Sequence, residues 1–502
     1  MKNLSQSLRN YSPSMVRAIA EVNGIELRSN QFSQMIEQLN EQLNDADTLE
    51  ASRLALSPPA QAALAALLAQ GGRSLRSTFE RSYGVIRATG PGRLERERPH
   101  LAPDNPSEEL WYRGLLHAAI AETPNGLVEF LYIPADLAAR LPQPAIPAAP
   151  FPPAALAGSP QAVAANEATL HDACSLLCLI QAGLGMLRDP ADILSWQSKS
   201  LYELNRLSLQ PQTDPAALGD GPGSPAALAL TLAHDLGWLR ARGRRLLLAA
   251  PPVRAWLEAG RATQRRVLLE AWQRSTTWND LCRTPSLSCE QTGSWANDPA
   301  ATRAQLHPLL ARLAPDAWYA LDDLVAAVRA VAPDFQRPDG NYDTWYLRRR
   351  GAVEFLRGFE HWEAVEGEVL RFLLRGPLSW LGAVDGDAEA TAVRLTAVGH
   401  VWLTDTEAHT DTAITESTLV VQPDFVVLAT TATPLLDRFR LARFTTWLEP
   451  QGTTFGYRIS QSGMQRAAQQ GITVARILEF LHSRAAAPLP VNVVAALERR
   501  QG

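Results

Sequence analysis

Apolar positions recur at helical spacing through most of the chain. The first fifty residues carry two such patterns, SPSMVRAIAEVNGIEL and SNQFSQMIEQLNEQL, with Asn23-Gly24 as the break between short amphipathic helices. Ser57-Pro58-Pro59 then reads as a helix start with proline in the first turn, and 62–68 is a run of strong helix formers ended by Gly71-Gly72. SLRSTFERSYG and SEELWYRGLLHAAIA predict two further helices. In AETPNGLVEFLYIP the pattern changes to two β-prone runs about Asn125-Gly126, the strongest short hairpin signal.

Three helices closed by a hairpin make a winged-helix plan, and the same order returns. The helix AALALTLAHDLGWL runs into LGWLRARGRRLLLAAP, where Gly243 turns a hairpin between 238–239 and 246–248. In AVRLTAVGHVWLTD, Val393/Leu395 and Val401/Leu403 predict a third hairpin about Gly399. The copies share little sequence, so this is a recurring plan and not a demonstrated repeat. Residues 138–166 are rich in proline and alanine with almost no charge, the composition of a semi-stiff linker. The expected organisation is a helical segment (1–50), a winged helix (51–137), the linker (138–166), a second helical, winged-helix domain (167–260), a Trp-rich central domain (261–384), a wing-like hairpin with connector (385–414) and a C-terminal module (415–502). The fold class is α+β, rich in α and multidomain.

Composition narrows the function. At 502 residues, 46% hydrophobic and 20% charged, the chain has ordinary globular composition, and its net charge of −5 excludes a histone-like polycation. That charge leaves room for one basic face. No run reaches the ~18–20 apolar residues of a membrane span, and MKNLSQSLRNYS has no secretory pattern. Four cysteines fit a reducing cytoplasm, so a cytoplasmic protein is expected, with nucleoid association open to it. Lys2 and Lys199 are the only lysines, and neither follows a glycine-rich loop. A Walker A motor, which reaches the nucleotide phosphates with a lysine, is therefore excluded from these residues.

Five pieces near the end of the chain occur in a set order: the strand LVVQPDFVVL (419–428), Tyr457-Arg458-Ile459-Ser460 as a helix start, an Ala-rich helix ended by glycine, the helix ILEFL, and the closing LPVNV. Residues 419–497 on these marks resemble the helicase-associated, N-terminal-like domain of the XPB repair helicases. The middle segments GPGRLERERP, LWYRGLL, TTWNDL, PDFQRPDGNYDTWYLR and GPLSWLG resemble bacterial proteins that carry this domain beside winged-helix units without a motor. The resemblance implies docking to a helicase, repair or transcription partner. The absence of an ATPase removes the ground for translocation or unwinding.

Candidate chemistry is sparse. His171, Cys174 and Cys178 lie one helical turn apart, and Cys282 and Cys289 are an unusually spaced second pair; small buried residues explain them better than zinc does. Gly219, Gly221 and Gly223 mimic a dinucleotide loop without the preceding strand and read as linker. His234 and Asp235, adjacent on a helix, diverge by about 100° and make no triad pair. Glu366 and Glu368 fall on different helix sides. Trp272, Trp278, Trp295, Trp318, Trp345, Trp362 and Trp380 fit an indole core better than base-stacking platforms. For Tyr342, Trp345 and Arg348 to Arg350, after the PDGN turn, a ligand surface and an interdomain wedge are equally open. No enzyme, metal or cofactor is expected, although an unrecognised site between domains is a weaker alternative.

The charge pattern carries the leading expectation. Across 234–274, nine arginines face three carboxylates, and four of them (Arg240, Arg242, Arg244 and Arg245) fall in the second hairpin. With Arg265 and Arg266 they are the expected contacts to double-stranded DNA, arginine being suited to phosphate and to a narrow minor groove. Across 387–424 seven carboxylates face Arg394 alone, so the third hairpin should avoid DNA. In the C-terminal module Ile472, Ile477, Leu478 and Leu481 mark an apolar stripe, leaving Arg466, Arg476, Glu479 and Arg484, with Arg440, outward for a protein partner. The expectation is a non-enzymatic DNA-associated protein, with a pure protein–protein adaptor as the alternative.

Overall fold

The computed structural model describes residues 2–123, 126–142, 151–163, 167–290, 293, 295–406 and 419–499. The protein is mixed α and β, about 49% helical, with small antiparallel sheets. Two compact units emerge: one of residues 1–149 with 337–341, the other of 150–336 with 342–502. No helix among the described residues is long and apolar enough to cross a membrane.

One backbone plan occurs three times. In the first unit, helix Pro58–Ala69, strand Arg73–Leu75 and helices Arg76–Tyr83 and Pro106–Tyr112 lead into the hairpin strands His117–Thr123 and Gly126–Tyr132. The short early strand pairs with the second hairpin strand, Leu75 opposite Phe130. In the second unit, helix Ala168–Gln181, an extended stretch at 185–187, and helices Ser198–Arg206 and Pro225–Asp235 precede the hairpin Leu239–Arg242/Arg245–Leu248. Again the early stretch meets the second hairpin strand: Leu246 N donates to Gly185 O (3.0 Å) and Leu187 N to Arg244 O (2.7 Å). In the third copy, helix Pro299–Leu310, strand Trp318–Ala320 and helices Leu321–Val331 and Glu368–Arg375 precede Val384–Asp387 and Ala392–Leu395. Trp318 lies opposite Arg394.

The third hairpin is thus earlier than the sequence pattern places it. Residues Ala397–Thr404 form a helix, with the Thr396 hydroxyl accepting from Gly399 N as its cap. Gly399 is needed there because a Cβ would sit 2.1 Å from the Ala383 carbonyl oxygen. Asp387 closes the true turn, accepting from Thr391 N and Ala392 N. Of the acidic residues expected around this hairpin, Glu407, Asp411 and Glu416 lie outside the described residues, as does Asn125 of the first hairpin turn.

The described parts of two expected linkers join the fold. Ala162–Val163 adds an edge strand to Val384–Asp387, and Phe151 is buried beneath Arg312. Gly223 sits where a Cβ would meet the Phe372 ring at 2.5 Å, so this glycine lets the chain pass a buried aromatic. The indoles form core: Trp272, Trp278, Trp295, Trp318, Trp345 and Trp362 are buried and Trp380 half-buried. Tyr342 is buried with them. Cys282 and Cys289 form a disulfide (Cα–Cα 5.3 Å), where the sequence reading expected unpaired thiols; Cys174 and Cys178 are free and buried.

The C-terminal module is a sheet in which Val426–Thr430 and Thr454–Ile459 are central, flanked by Val420–Val421 and Thr445–Trp447, with helices Leu435–Ala442, Gln461–Gln469, Val474–Arg484 and Val491–Glu498. Ser460 caps Gln461–Gln469 by accepting from Gly463 N, as the sequence predicts for a helix start. The apolar stripe of Val474–Arg484 is narrower than expected. Ile477 and Leu481 are buried, one helical turn apart, while Ile472 and Leu478 are half-buried.

Candidate nucleic-acid interface

The middle hairpin alternates as a half-buried ribbon should. Leu239 and Leu246 enter the core, and the opposite face is set by the pairs Arg240–Leu247 and Arg242–Arg245. Gly243, at φ +57°, takes the left-handed first position of the two-residue turn. Arg240, Arg242, Arg244 and Arg245 are all exposed. None forms an ion pair with a carboxylate among the described residues. Arg242 and Arg245 stand directly across from each other, an arrangement that costs stability in an antiparallel pair.

The helical arginines of the same segment differ. Arg265 pairs with Glu167, and Arg266 with Glu270 (2.7 Å) and Asp405 (2.9 Å). Arg254 pairs with Glu258 and Arg274 with Glu270. Arg261 donates to the carbonyls of Thr431 and Thr433, and burial lowers its pKa. Among the described residues, the exposed arginines of this segment that have no carboxylate partner are those of the hairpin, and Arg265 and Arg266 are not brought to it as free cations. The partners Glu167 and Asp405 lie 98 and 139 residues away from them in sequence.

A groove of about 480 Å³ opens beside the hairpin, with Gln181, Arg245, Gln465, Arg466, Gln469 and Gln470 among its walls and no carboxylate. Arg245 lies at its edge, its guanidinium beside Gly183, where a Cβ would approach within 2.5 Å. Gly183, at φ +78°, follows the C-terminal end of the Ala168–Gln181 helix, whose partial negative charge favours a cation.

The residues expected to face outward from the C-terminal module divide. Arg476 and Glu479 are exposed. Arg466 is half-buried, its Nη2 donating to the carbonyls of Ala442 and Thr445, and desolvation lowers its pKa. Arg484 is tied to Asp437 (3.3 Å), which Arg440 also approaches. Two of the four therefore serve internal contacts, because their long stems reach acceptors on the neighbouring helix and strand.

Two other polar clusters lie in the second unit. Arg438, 1% exposed, donates to Tyr457 Oη (3.0 Å), His171 Nδ1 (3.0 Å) and Ser175 Oγ (3.2 Å), and lies over the Phe455 ring. A hydrogen bond with Cys178 lowers the Cys174 thiol to about 7, burial raises Cys178 and strongly lowers His171, and burial raises Asp172 to about 7. The knot pins the Ala168–Gln181 helix to Leu435–Ala442. His234 and Asp235 do meet, at 3.1 Å, against the sequence expectation. Ser275 and Thr277 donate to Asp235 and not to the imidazole, so no nucleophile–base relay results. No group of three or more His, Cys, Asp or Glu among the described residues is placed to hold a metal ion.

No protein-family model matches the chain, and a search of curated proteins finds no match.

Proposed function

We propose that this is a non-enzymatic, DNA-associated protein that lays its middle hairpin along the duplex backbone. The observation that carries the reading is the cross-strand pair Arg242–Arg245 with Arg240 and Arg244 beside it, exposed and without carboxylate partners among the described residues. A polyanion supplies the missing counter-charge. The order helix, strand, helix, helix, hairpin, with the early strand on the second hairpin strand, resembles a winged-helix plan and supports a backbone-binding role for the middle hairpin. The C-terminal sheet and helices, read as an XPB-type helicase-associated module, dock a helicase, repair or transcription protein through Arg476 and Glu479.

One observation favours a docking role for the first hairpin instead. It exposes Ile120 (69%) and Leu127 (76%), apolar side chains of no use to a phosphate. The adaptor reading thus belongs to the first unit, and the DNA reading to the second.

Arg242→Ala, Arg244→Ala and Arg245→Ala together test the proposal by fluorescence anisotropy on unrelated short duplexes at several salt concentrations. Affinity should fall for every sequence, and the salt dependence should flatten by roughly one slope unit per lost contact. Unchanged affinity and slope on an intact fold would remove the hairpin from DNA binding.

A further inference from the structure

The hairpin and the C-terminal module are far apart in sequence, yet Arg245 and Arg466 line one groove. We infer that this groove is the second half of the nucleic-acid site and takes the sugar–phosphate backbone of one strand. The inference rests on the hairpin reading above and assigns helix Gln461–Gln469 to nucleic acid as well as to the module's fold.

Its wall chemistry fits that ligand. Gln181, Gln465, Gln469 and Gln470 offer carboxamides, whose N–H groups donate to phosphate oxygens. No carboxylate lines the groove to repel a phosphate, and no aromatic ring lines it to stack a base. The ligand class is therefore backbone rather than base. Two cations frame it. Arg245 lies at the rim beside Gly183, and Arg466 has its buried Nε without a hydrogen-bond partner among the described residues. Behind the wall, Arg443 donates to Gln470 Oε1 at 2.9 Å, which orients that carboxamide. Gln465 and Gln469 are exposed and one helical turn apart, so both reach the same strand.

The test uses the full chain carrying Gln465→Glu with Gln469→Glu. Both positions are exposed and glutamate matches glutamine in helix propensity, so the fold is kept. Against a labelled duplex at about 0.1 M salt, binding should weaken by about tenfold. A photo-crosslinking residue placed at Gln469 should attach to the DNA. Full affinity with no crosslink, while the hairpin triple variant loses binding, overturns the groove and leaves the hairpin. Weakened binding without a crosslink means long-range repulsion and also overturns it. If the groove variant loses binding with a crosslink while the hairpin variant does not, the groove stands and the hairpin reading falls. If neither variant changes binding, both fall.

Discussion

Arg303 holds one buried knot of the second unit, and its replacement has a calculable effect. Arg303, 3% exposed, spends all its donors inside the protein. Nε and Nη2 meet Asp280 Oδ2 at 2.7 and 2.6 Å, Nη1 reaches the carbonyls of Trp272 and Ser275 at 2.6 Å, and Nη2 also reaches that of Trp278 at 2.5 Å. The guanidinium also lies 5.0 Å from the Trp272 ring centroid. Asp280 completes the knot by accepting from the indole N–H groups of Trp278 (2.8 Å) and Trp272 (3.3 Å).

Asp280→Asn keeps the shape and one acceptor but leaves a buried guanidinium without its counter-charge. Breaking one side of a buried pair costs about 3–5 kcal/mol. For a unit of this size that is a fall in the thermal midpoint of roughly 4–7 °C. Arg303→Met should cost a similar amount, for it orphans the carboxylate. The double variant should cost at least about 2 kcal/mol less than the sum of the singles, since neither partner is then left charged and alone. Denaturant unfolding followed by circular dichroism, with calorimetry as a second probe, measures all three. Additivity within about 0.5 kcal/mol would refute the argument, as would Asp280→Asn unfolding at the wild-type midpoint.

Burial lowers His117 to about 4, its Nε2 lying 2.9 Å from Gly114 O. The folded value is below the unfolded one, so the stability it supports is complete above pH ~6.5 and lost as pH falls through about 4, roughly 3 kcal/mol in all. His117→Gln should flatten that acid-side slope in a pH series of denaturation midpoints; an unchanged slope assigns it elsewhere. Gly399→Ala drives a methyl group into the Ala383 carbonyl and should destabilise by about 1–3 kcal/mol, measured by thermal unfolding, whereas a neutral result would show that the Ala397–Thr404 helix can shift. Leu481→Ala, fully buried, should cost about 2–5 kcal/mol and half-buried Leu478→Ala clearly less; equal costs in denaturant unfolding would contradict the packing of Val474–Arg484.

What could be read from the sequence was local. The middle hairpin is legible because Gly243 sets the turn and two short runs flank it, which leaves Leu239 and Leu246 inward while Leu247 faces out opposite Arg240. The third was misplaced because Val393, Leu395, Val401 and Leu403 keep a two-residue rhythm on both sides of Gly399. Ala397, Val398 and Trp402 break that rhythm in favour of a helix, and Thr396 is its cap. The pairing of Arg265 with Glu167, and of Arg266 with Asp405, depends on tertiary contacts that no local pattern encodes. The same holds for the groove: Arg245 and Arg466 were assigned to different partners because 221 positions separate them, and only the fold brings them to one wall.

The three hairpins separate what the backbone demands from what it leaves free. Their inward positions are mostly apolar, but one cross-strand pair in each differs in kind. In the third, Asp385 faces Arg394 and the two form an ion pair at 2.6 Å, the arrangement that stabilises a hairpin. In the first, Ile120 faces Glu129, which is tied to Arg76. In the middle one, Arg242 faces Arg245, the arrangement that destabilises it. The exposed Arg242–Arg245 pair thus carries a cost that folding stability does not explain, in contrast with the neutralised Asp385–Arg394 pair. The cost of opposing two arginines is recovered when phosphates lie between them, which is why the middle hairpin is where nucleic acid should be sought.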